Sequence, residues 1–356
     1  MEKLNNRIIY ADILRIIATF AVIILHVSAS KWYASPISEY DWQVFNIYDS
    51  LVRWAVPIFV MLSGVFFLNP DKEIDSKKLF CKYILRIVIA IIFWGLFYQF
   101  SEIFAKFILE HETITIQKIL IAFAKILFGP PWYHLWYLYM LIGLYLLTPV
   151  YRIFTKNATE KQFQYLLILF FTFGLCLPFV KNMLLHFDSR LSINFGISEL
   201  VNYSGYFFAG YYFSKYSISK KMRISIYVFA ICSFVFTIVG TSYISVKNNE
   251  PNDILYNNLF PTTMFEAFAL FISIKSIFEK KEISERSYSF ISKLGRCTFG
   301  IFLIHDFIRT ILQKLGITAD FINPLFAIPL TSILIFFISF FIIWFCKKVS
   351  ISKYIM

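Results

Sequence analysis

The chain has 356 residues, a formal net charge of +12 and a mean hydropathy of +0.66, with 58% hydrophobic, 20% aromatic and only 16% charged residues. A soluble domain carries about a quarter charged residues, so this composition excludes a water-covered globule, a disordered chain and a fibrous one, and leaves an all-α polytopic integral membrane protein. The basic excess does not indicate nucleic acid, because Lys and Arg lie in short clusters between apolar runs, the pattern that sets membrane topology.

A helix needs about 20 apolar residues to cross the ~30 Å hydrocarbon core. Ten candidate spans are read, near 8–30, 50–69, 84–108, 132–151, 163–180, 199–214, 224–245, 259–278, 297–315 and 325–346, the sixth of them short. The stretch 116–128 reads as an extra half-helix dipping into the outer face. No polar run is long enough for a separate soluble domain, so residues 1–356 are expected to form one transmembrane domain with nothing appended beyond the last span. Apolar character begins at Ile8, upstream of the Ile16–Leu25 run and Ser28-Ala29-Ser30 that a signal peptide would use, so the first run reads as a retained span.

With the N-terminus in the cytosol, cytosolic segments hold 22 Lys and Arg residues, from Lys3 and Arg7 through Lys280 and Lys353, and external segments hold 7, Arg190 among them. The bias holds at every alternation and places both termini in the cytosol and the chain in the plasma membrane. Trp32, Tyr33, Tyr40, Trp42, Trp132 and Tyr133 then fit an outer aromatic belt. The cysteines, Cys81, Cys176, Cys232, Cys297 and Cys346, are far apart and contain no CxxC, so neither a disulfide framework nor a metal site is expected.

Ionisable groups inside spans cost ~2.5–3.5 kcal/mol each on insertion scales and are functional candidates by default. Asp12 and Arg15, three apart, share a helix face and can pair. Arg15 and His26 are eleven apart, almost three whole turns, so they share a face ~16 Å apart along the axis. The plainer alternative is a snorkelling Arg15 and a wetted interfacial His26. Arg53, opening the second span, and His134, opening the fourth, lie near the depth of His26, so the three could face one cavity. Pro57 would free a backbone carbonyl, and Ser63-Gly64 permits close helix packing. His305 lies ~12 Å into the ninth span, where an unpaired polar ring is expensive; a structural hydrogen bond is the alternative. Glu266 is a second intramembrane group, structural or cavity-lining. No Walker loop, GxSxG, HExxH or paired-carboxylate motif occurs, which leaves histidine as general base or covalent carrier.

Asp12-x-x-Arg15 with His26, Arg53-x-x-Val56-Pro57-x-Phe59-x-x-x-Ser63-Gly64, Tyr133-His134-Leu135-Trp136 and Gly300-Ile301-x-x-x-His305 follow in order over about residues 8–346. In this the chain resembles the acyltransferase-3 family of polytopic membrane proteins, in its branch of surface-polysaccharide O-acyltransferases. The resemblance implies transfer of an acyl group, acetyl first, from cytosolic acetyl-CoA or another acyl-CoA to a hydroxyl of an extracytoplasmic cell-surface glycan or its lipid-linked precursor. It assigns Arg15 and His26 to the active site, with Asp12 as the partner of Arg15 and no metal. CoA is polyanionic, so its nucleotide would stay at the cytosolic face among Lys82, Arg86 and Arg296, its arm passing Arg15. The acceptor would meet His26 near Arg53, His134 and Trp136, with His305 and Glu266 lining the path. The rival expectation is a transporter exporting a polysaccharide or moving a small solute, although no inverted repeat is visible.

Overall fold

The computed structural model describes residues 8–187, 199–279 and 281–348. Lys3, Arg7, Arg190, Lys280 and Lys353, counted above as flanking charges, lie outside the described residues. The chain is 80% helical without strands among the described residues. In order, the elements are α1 (Ile9–Trp32), α2 (Tyr40–Ser50), α3 (Ala55–Phe67) and α4 (Ser76–Lys78), which runs through a π-helical stretch, Leu79–Ile84, into α5 (Leu85–Leu109). Then come α6 (Ile116–Phe128), a 3-10 turn Tyr133–Leu135 opening α7 (Trp136–Asn157), and α8 (Glu160–Leu169), continued by π-helical Phe170–Cys176 into α9 (Leu177–Phe187). The chain ends in α10 (Glu199–Lys215), α11 (Lys220–Asn248), α12 (Pro261–Phe278), α13 (Glu285–Lys314) and α14 (Pro324–Cys346).

Each of the ten expected spans contains a helix, and among the described residues eight helical segments, two of them interrupted near 51–54 and 129–132, are long and apolar enough to cross a membrane. Two expected spans fall outside that set for different reasons. Helix α10 has 17 residues and carries four tyrosines. Helix α13 has 30 residues and begins well before 297, with Arg286, Lys293 and Arg296 in its opening turns. Helix α6 has 13 residues, a length of ~20 Å that stops short of the hydrocarbon thickness, and it exposes Ile116, Leu120, Leu127 and Phe128. It is a short amphipathic element, as its sequence suggested.

The region before α3 departs from expectation. The second span does not start at 50: α2 ends at Ser50, residues 51–54 turn, and α3 begins at Ala55. Pro57 therefore sits in the first turn of α3, where a missing N–H leaves no helical bond unmade; it frees no interior carbonyl. Helix α2 is packed rather than interfacial. Trp42 is fully buried, lies with its ring 5.4 Å from that of the equally buried Trp32 and donates its indole N–H to the Trp32 carbonyl at 3.0 Å. Trp32 and Trp42 thus belong to the core and not to an aromatic belt, whereas Tyr33 and Tyr40 are exposed.

Helix α1 is the hub, in contact with α2, α3, α12, α13 and α14. Two helix contacts depend on absent side chains. A Cβ at Gly64 of α3 would stand 1.8 Å from the Phe207 carbonyl oxygen of α10, and one at Gly210 of α10 would stand 1.9 Å from the Met61 carbonyl oxygen. The two backbones touch at two successive levels, the close approach small residues permit in membranes. A Cβ at Gly295 of α13 would stand 3.0 Å from the Asp12 side chain, so α13 leaves room for the carboxylate of the Asp12–Arg15 pair. Gly64→Ala and Gly210→Ala should each destabilise the protein by about 1–3 kcal/mol, the cost of forced overpacking, read as an earlier thermal unfolding midpoint in detergent. Gly129→Ala should leave the midpoint in place, because a Cβ there meets nothing within 4 Å.

Candidate active site

Three histidines from three segments meet in one cluster. His26 of α1 stacks on His305 of α13 with ring centroids 5.2 Å apart and planes at 20°. His134, in the 3-10 turn, lies 5.0 Å from His305 and 6.3 Å from His26. His134 and His305 are buried, while His26 is half-buried beside the exposed Tyr133, with ring centroids 4.9 Å apart. His305 Nδ1 lies 2.6 Å from the Phe302 carbonyl oxygen. A carbonyl only accepts, so Nδ1 carries the proton and Nε2 holds the ring's lone pair; Nε2 is buried and meets no hydrogen-bond partner among the described residues.

The cluster is held by a carboxylate that sequence reasoning passed over. Asp306 is fully buried. It accepts from Trp132 Nε1 at 2.5 Å, from the Tyr133 hydroxyl at 2.5 Å and from Arg309 Nε at 2.6 Å. Trp132 and Tyr133 precede His134 directly, so one carboxylate of α13 pins the turn that carries the third histidine. Helix α5 holds the same turn from behind. Gly95 makes room for Pro131, Gln99 donates to the Pro131 carbonyl at 2.6 Å, and Tyr98 stacks on Trp132 at 4.9 Å. The Tyr98 hydroxyl donates to Leu303 O at 2.8 Å and accepts the Phe307 N–H at 3.2 Å, tying α5 to α13. Trp132 is therefore part of this knot and not an interfacial anchor.

A cavity of about 740 Å³ lies between α1, α3, α5, α7 and α13, within the usual size for small-molecule sites. At one end stand Arg15, Lys72, Lys78 and Arg86; at the other stand Phe59, Tyr137 and Phe302. Arg15 pairs with the buried Asp12 at 2.9 Å. Arg15 and Lys72 both lie on the Phe66 ring, at 4.6 and 4.5 Å, so two cations converge on one wall. Burial and then the Arg15 charge lower the Lys72 ammonium from its usual value, an environment that an incoming anion would relieve. Arg86 lies over Phe299 at 5.4 Å. A shallower recess of about 710 Å³ shares Lys72, Glu73 and Lys78 with this mouth and adds Lys77, Lys82 and Arg152. The Arg152 guanidinium is committed to backbone carbonyls of Phe67, Asn69 and Lys72. At the histidine end, a third recess of about 640 Å³ runs under α6 and is lined by Gln99, Glu102, Lys125, Trp132 and Tyr133.

The sequence-derived candidates separate into groups. Arg15 lines the cavity with Asp12 as its partner, and Arg86 and Lys82 flank the basic mouth. Arg296 does not line either basic recess: its Nε donates to the Ser292 carbonyl at 3.2 Å on its own helix, and its own carbonyl accepts Lys347. Lys72 and Lys78 stand where Arg296 was expected. Arg53 is not beside His26. It lies in the turn after α2, ion-paired with the buried Asp49 four residues earlier and stacked on Tyr256 at 3.9 Å. The arginine at the histidine cluster is Arg309, ion-paired with Asp306 at 2.6 Å. Glu266 of α12 is buried, with neither carboxyl oxygen hydrogen-bonded among the described residues, and it lines none of these three recesses. Trp136 packs on Tyr203 at 5.9 Å. Among the described residues no group of three His, Cys, Asp or Glu side chains is arranged to hold a metal ion.

A polytopic helical bundle with a buried histidine cluster facing one end of a deep, cation-mouthed cavity is the framework of a membrane enzyme. Residues 8–346 match the acyltransferase domain family, and the chain belongs to that family: it is a membrane acyltransferase. Searches of curated proteins and of solved structures each found no significant match.

The Asp306–Arg309 pair yields a quantitative expectation. Removing one partner of a buried ion pair strands the other charge, at about 3–5 kcal/mol. Asp306→Ala and Arg309→Ala should each be strongly destabilising in detergent, and the double variant should cost less than the sum of the two. Additive costs would mean that the pair is not coupled.

Proposed function

We propose that this acyltransferase is a surface-polysaccharide O-acyltransferase that carries an acetyl group across the membrane. The donor is cytosolic acetyl-CoA, or a closely related acyl-CoA, and the acceptor is a hydroxyl of an extracytoplasmic glycan or its lipid-linked precursor. One observation supports the reading above others: the cavity has cations at one end and three histidines just behind the other. In this reading the nucleotide phosphates rest at the basic mouth near Lys72, Lys78, Lys82 and Arg86. The thin pantetheine arm then extends past Arg15 and Ser63 towards Tyr137 and Phe302. The excess of Lys and Arg on alternate segments supports a reading in which this mouth and both termini face the cytosol of a plasma-membrane protein.

The acceptor approaches through the recess under α6 and meets His26, the least buried of the three rings. His26 takes the proton from the acceptor hydroxyl as its oxygen bonds to the thioester carbonyl carbon. The C–S bond then breaks and the leaving thiolate recovers that proton from the imidazolium. His134 and His305 pack the base in place, and Asp306 holds the turn that brings His134 to it. Arg15 belongs to the donor side: it holds the thioester or pantetheine carbonyl with a planar fork of donors, which a lysine does not reproduce.

His26→Ala, matched to the wild type for expression, should lose transfer by ~10²–10⁴-fold, the usual contribution of a general base, while acyl-CoA binding persists. Arg15→Lys should lose transfer as well and, unlike His26→Ala, should weaken acyl-CoA binding. Retention of more than about a tenth of the rate by His26→Ala, well short of a lost base, would move the chemistry to His305 or His134. Normal transfer by Arg15→Lys would make Arg15 a membrane anchor.

A further inference from the structure

Phe302 occupies the one boundary that the proposed reaction has to cross. Its ring lines the inner end of the 740 Å³ cavity. The same ring lies 5.5 Å from His134 and 5.9 Å from His305, centroid to centroid. Phe59 and Tyr137, at 6.4 and 5.6 Å from it, complete the wall, but neither has a ring contact with a histidine among the described residues. The backbone at Phe302 is fixed, since its carbonyl accepts His305 Nδ1 inside the continuous helix α13. The ring is buried among its neighbours, so any change at this boundary is a change of the Phe302 rotamer, for which an aromatic residue on a helix has two common χ1 wells.

We propose that Phe302 is the partition between the donor cavity and the histidine cluster and that it selects the acyl group by length. The inference rests on the acyl-CoA reading above. Attack on a thioester requires the reacting atoms to come within about 3–3.5 Å, and a phenyl ring standing between cavity and imidazoles forbids that approach. In its present position the ring also keeps water on the acceptor side from the thioester, as closed sites do for reactive groups. When the ring turns to its second well, the space it vacates admits a group of acetyl size. A longer chain runs into Phe59 and Tyr137, which do not move with it. Short acyl groups therefore cross and long ones stall.

Without the ring, two changes follow together. Water enters from the histidine side and attacks the thioester carbonyl carbon, the C–S bond breaks, and a carboxylic acid and free CoA thiol result without any acceptor. At the same time the inner end of the cavity lengthens, and longer acyl groups are accommodated.

The test compares purified wild type, Phe302→Leu and Phe302→Ala with acetyl-, butyryl- and hexanoyl-CoA. Free thiol is followed without acceptor, acyl-CoA binding is measured in parallel, and transfer to surface-glycan acceptor is measured when acceptor is present. In Phe302→Ala, acceptor-free thiol release should rise about tenfold, equivalent to a barrier lowered by ~1.4 kcal/mol, and the ratio of hexanoyl to acetyl use should rise with it. Phe302→Leu should fall between, and it carries the test if the alanine variant does not fold. A folded variant with unchanged thiol release and unchanged acyl preference overturns the partition. A wild type that neither binds nor uses any acyl-CoA overturns instead the donor assignment on which the partition rests, so the two failures are told apart.

Discussion

The carboxylate of Asp306 is the fixed point of the molecule. It is fully buried and its two oxygens accept from an indole, a phenol and a guanidinium. An isolated carboxylate in this setting would be prohibitively expensive, and the three donors are what make it tolerable. The donors come from two places. Arg309 is one turn along the same helix and neutralises the charge locally. Trp132 and Tyr133 come from the turn before α7, so satisfying the carboxylate also fixes where His134 stands. His305 is the neighbour of Asp306 in sequence, and His26 is stacked on His305. The geometry of all three imidazoles is thus set by the cost of leaving one negative charge unmatched.

Acid–arginine pairing at helical spacing recurs on α1, at the end of α2 and on α13. Asp12 and Arg15 are three apart, Asp49 and Arg53 four apart, Asp306 and Arg309 three apart. Each pair carries a buried acid and a partly accessible arginine, so each cation is neutralised yet retains donors for other partners. Arg15 turns them to the cavity, Arg53 to Tyr256, Arg309 to the cluster end. Between the first and last of these pairs lies the path of the proposed reaction, bounded by α1 on one side and one face of α13 on the other. Thr298 and Phe302 line the cavity, and His305 lies one turn further on. A single helix face therefore leads from donor chamber to histidines, with Phe302 as the step between them.

The helices were legible in the sequence because apolar length is a strong signal and the membrane leaves little else for it to mean. The Asp12–Arg15 spacing and the shared depth of His26 and His134 were legible for the same reason, that polar groups are rare there; His305 was singled out too, but deeper in its span, and its stacking on His26 shows only in the structure. Asp306 and Arg309 obey that rule too and were discoverable by it, since Asp-x-x-Arg recurs at the far end of the ninth span. Helix α2 was hidden by its own composition. Asp41, Gln43, Asn46, Asp49 and Ser50 break up its apolar pattern, yet Asn46 and Ser50 are buried and hydrogen-bonded, with the Tyr256 hydroxyl donating to Asn46 Oδ1 at 2.5 Å. With α2 unseen, Arg53 was placed at the head of a span, beside His26, when it belongs to a turn held by Asp49. Phe302 could not be found in sequence at all. It is one phenylalanine among 43, and only the cavity on one side of it and the histidines on the other distinguish it.

The account stands on transfer through the protein from one face of the membrane to the other. The most direct measurement uses proteoliposomes with uniformly oriented protein, radiolabelled acetyl-CoA confined to the side of the Lys72–Lys78 mouth and glycan acceptor confined to the other. Label should appear on the acceptor across the sealed bilayer and should vanish when donor and acceptor exchange sides. Transfer that requires donor and acceptor on the same side would contradict the account.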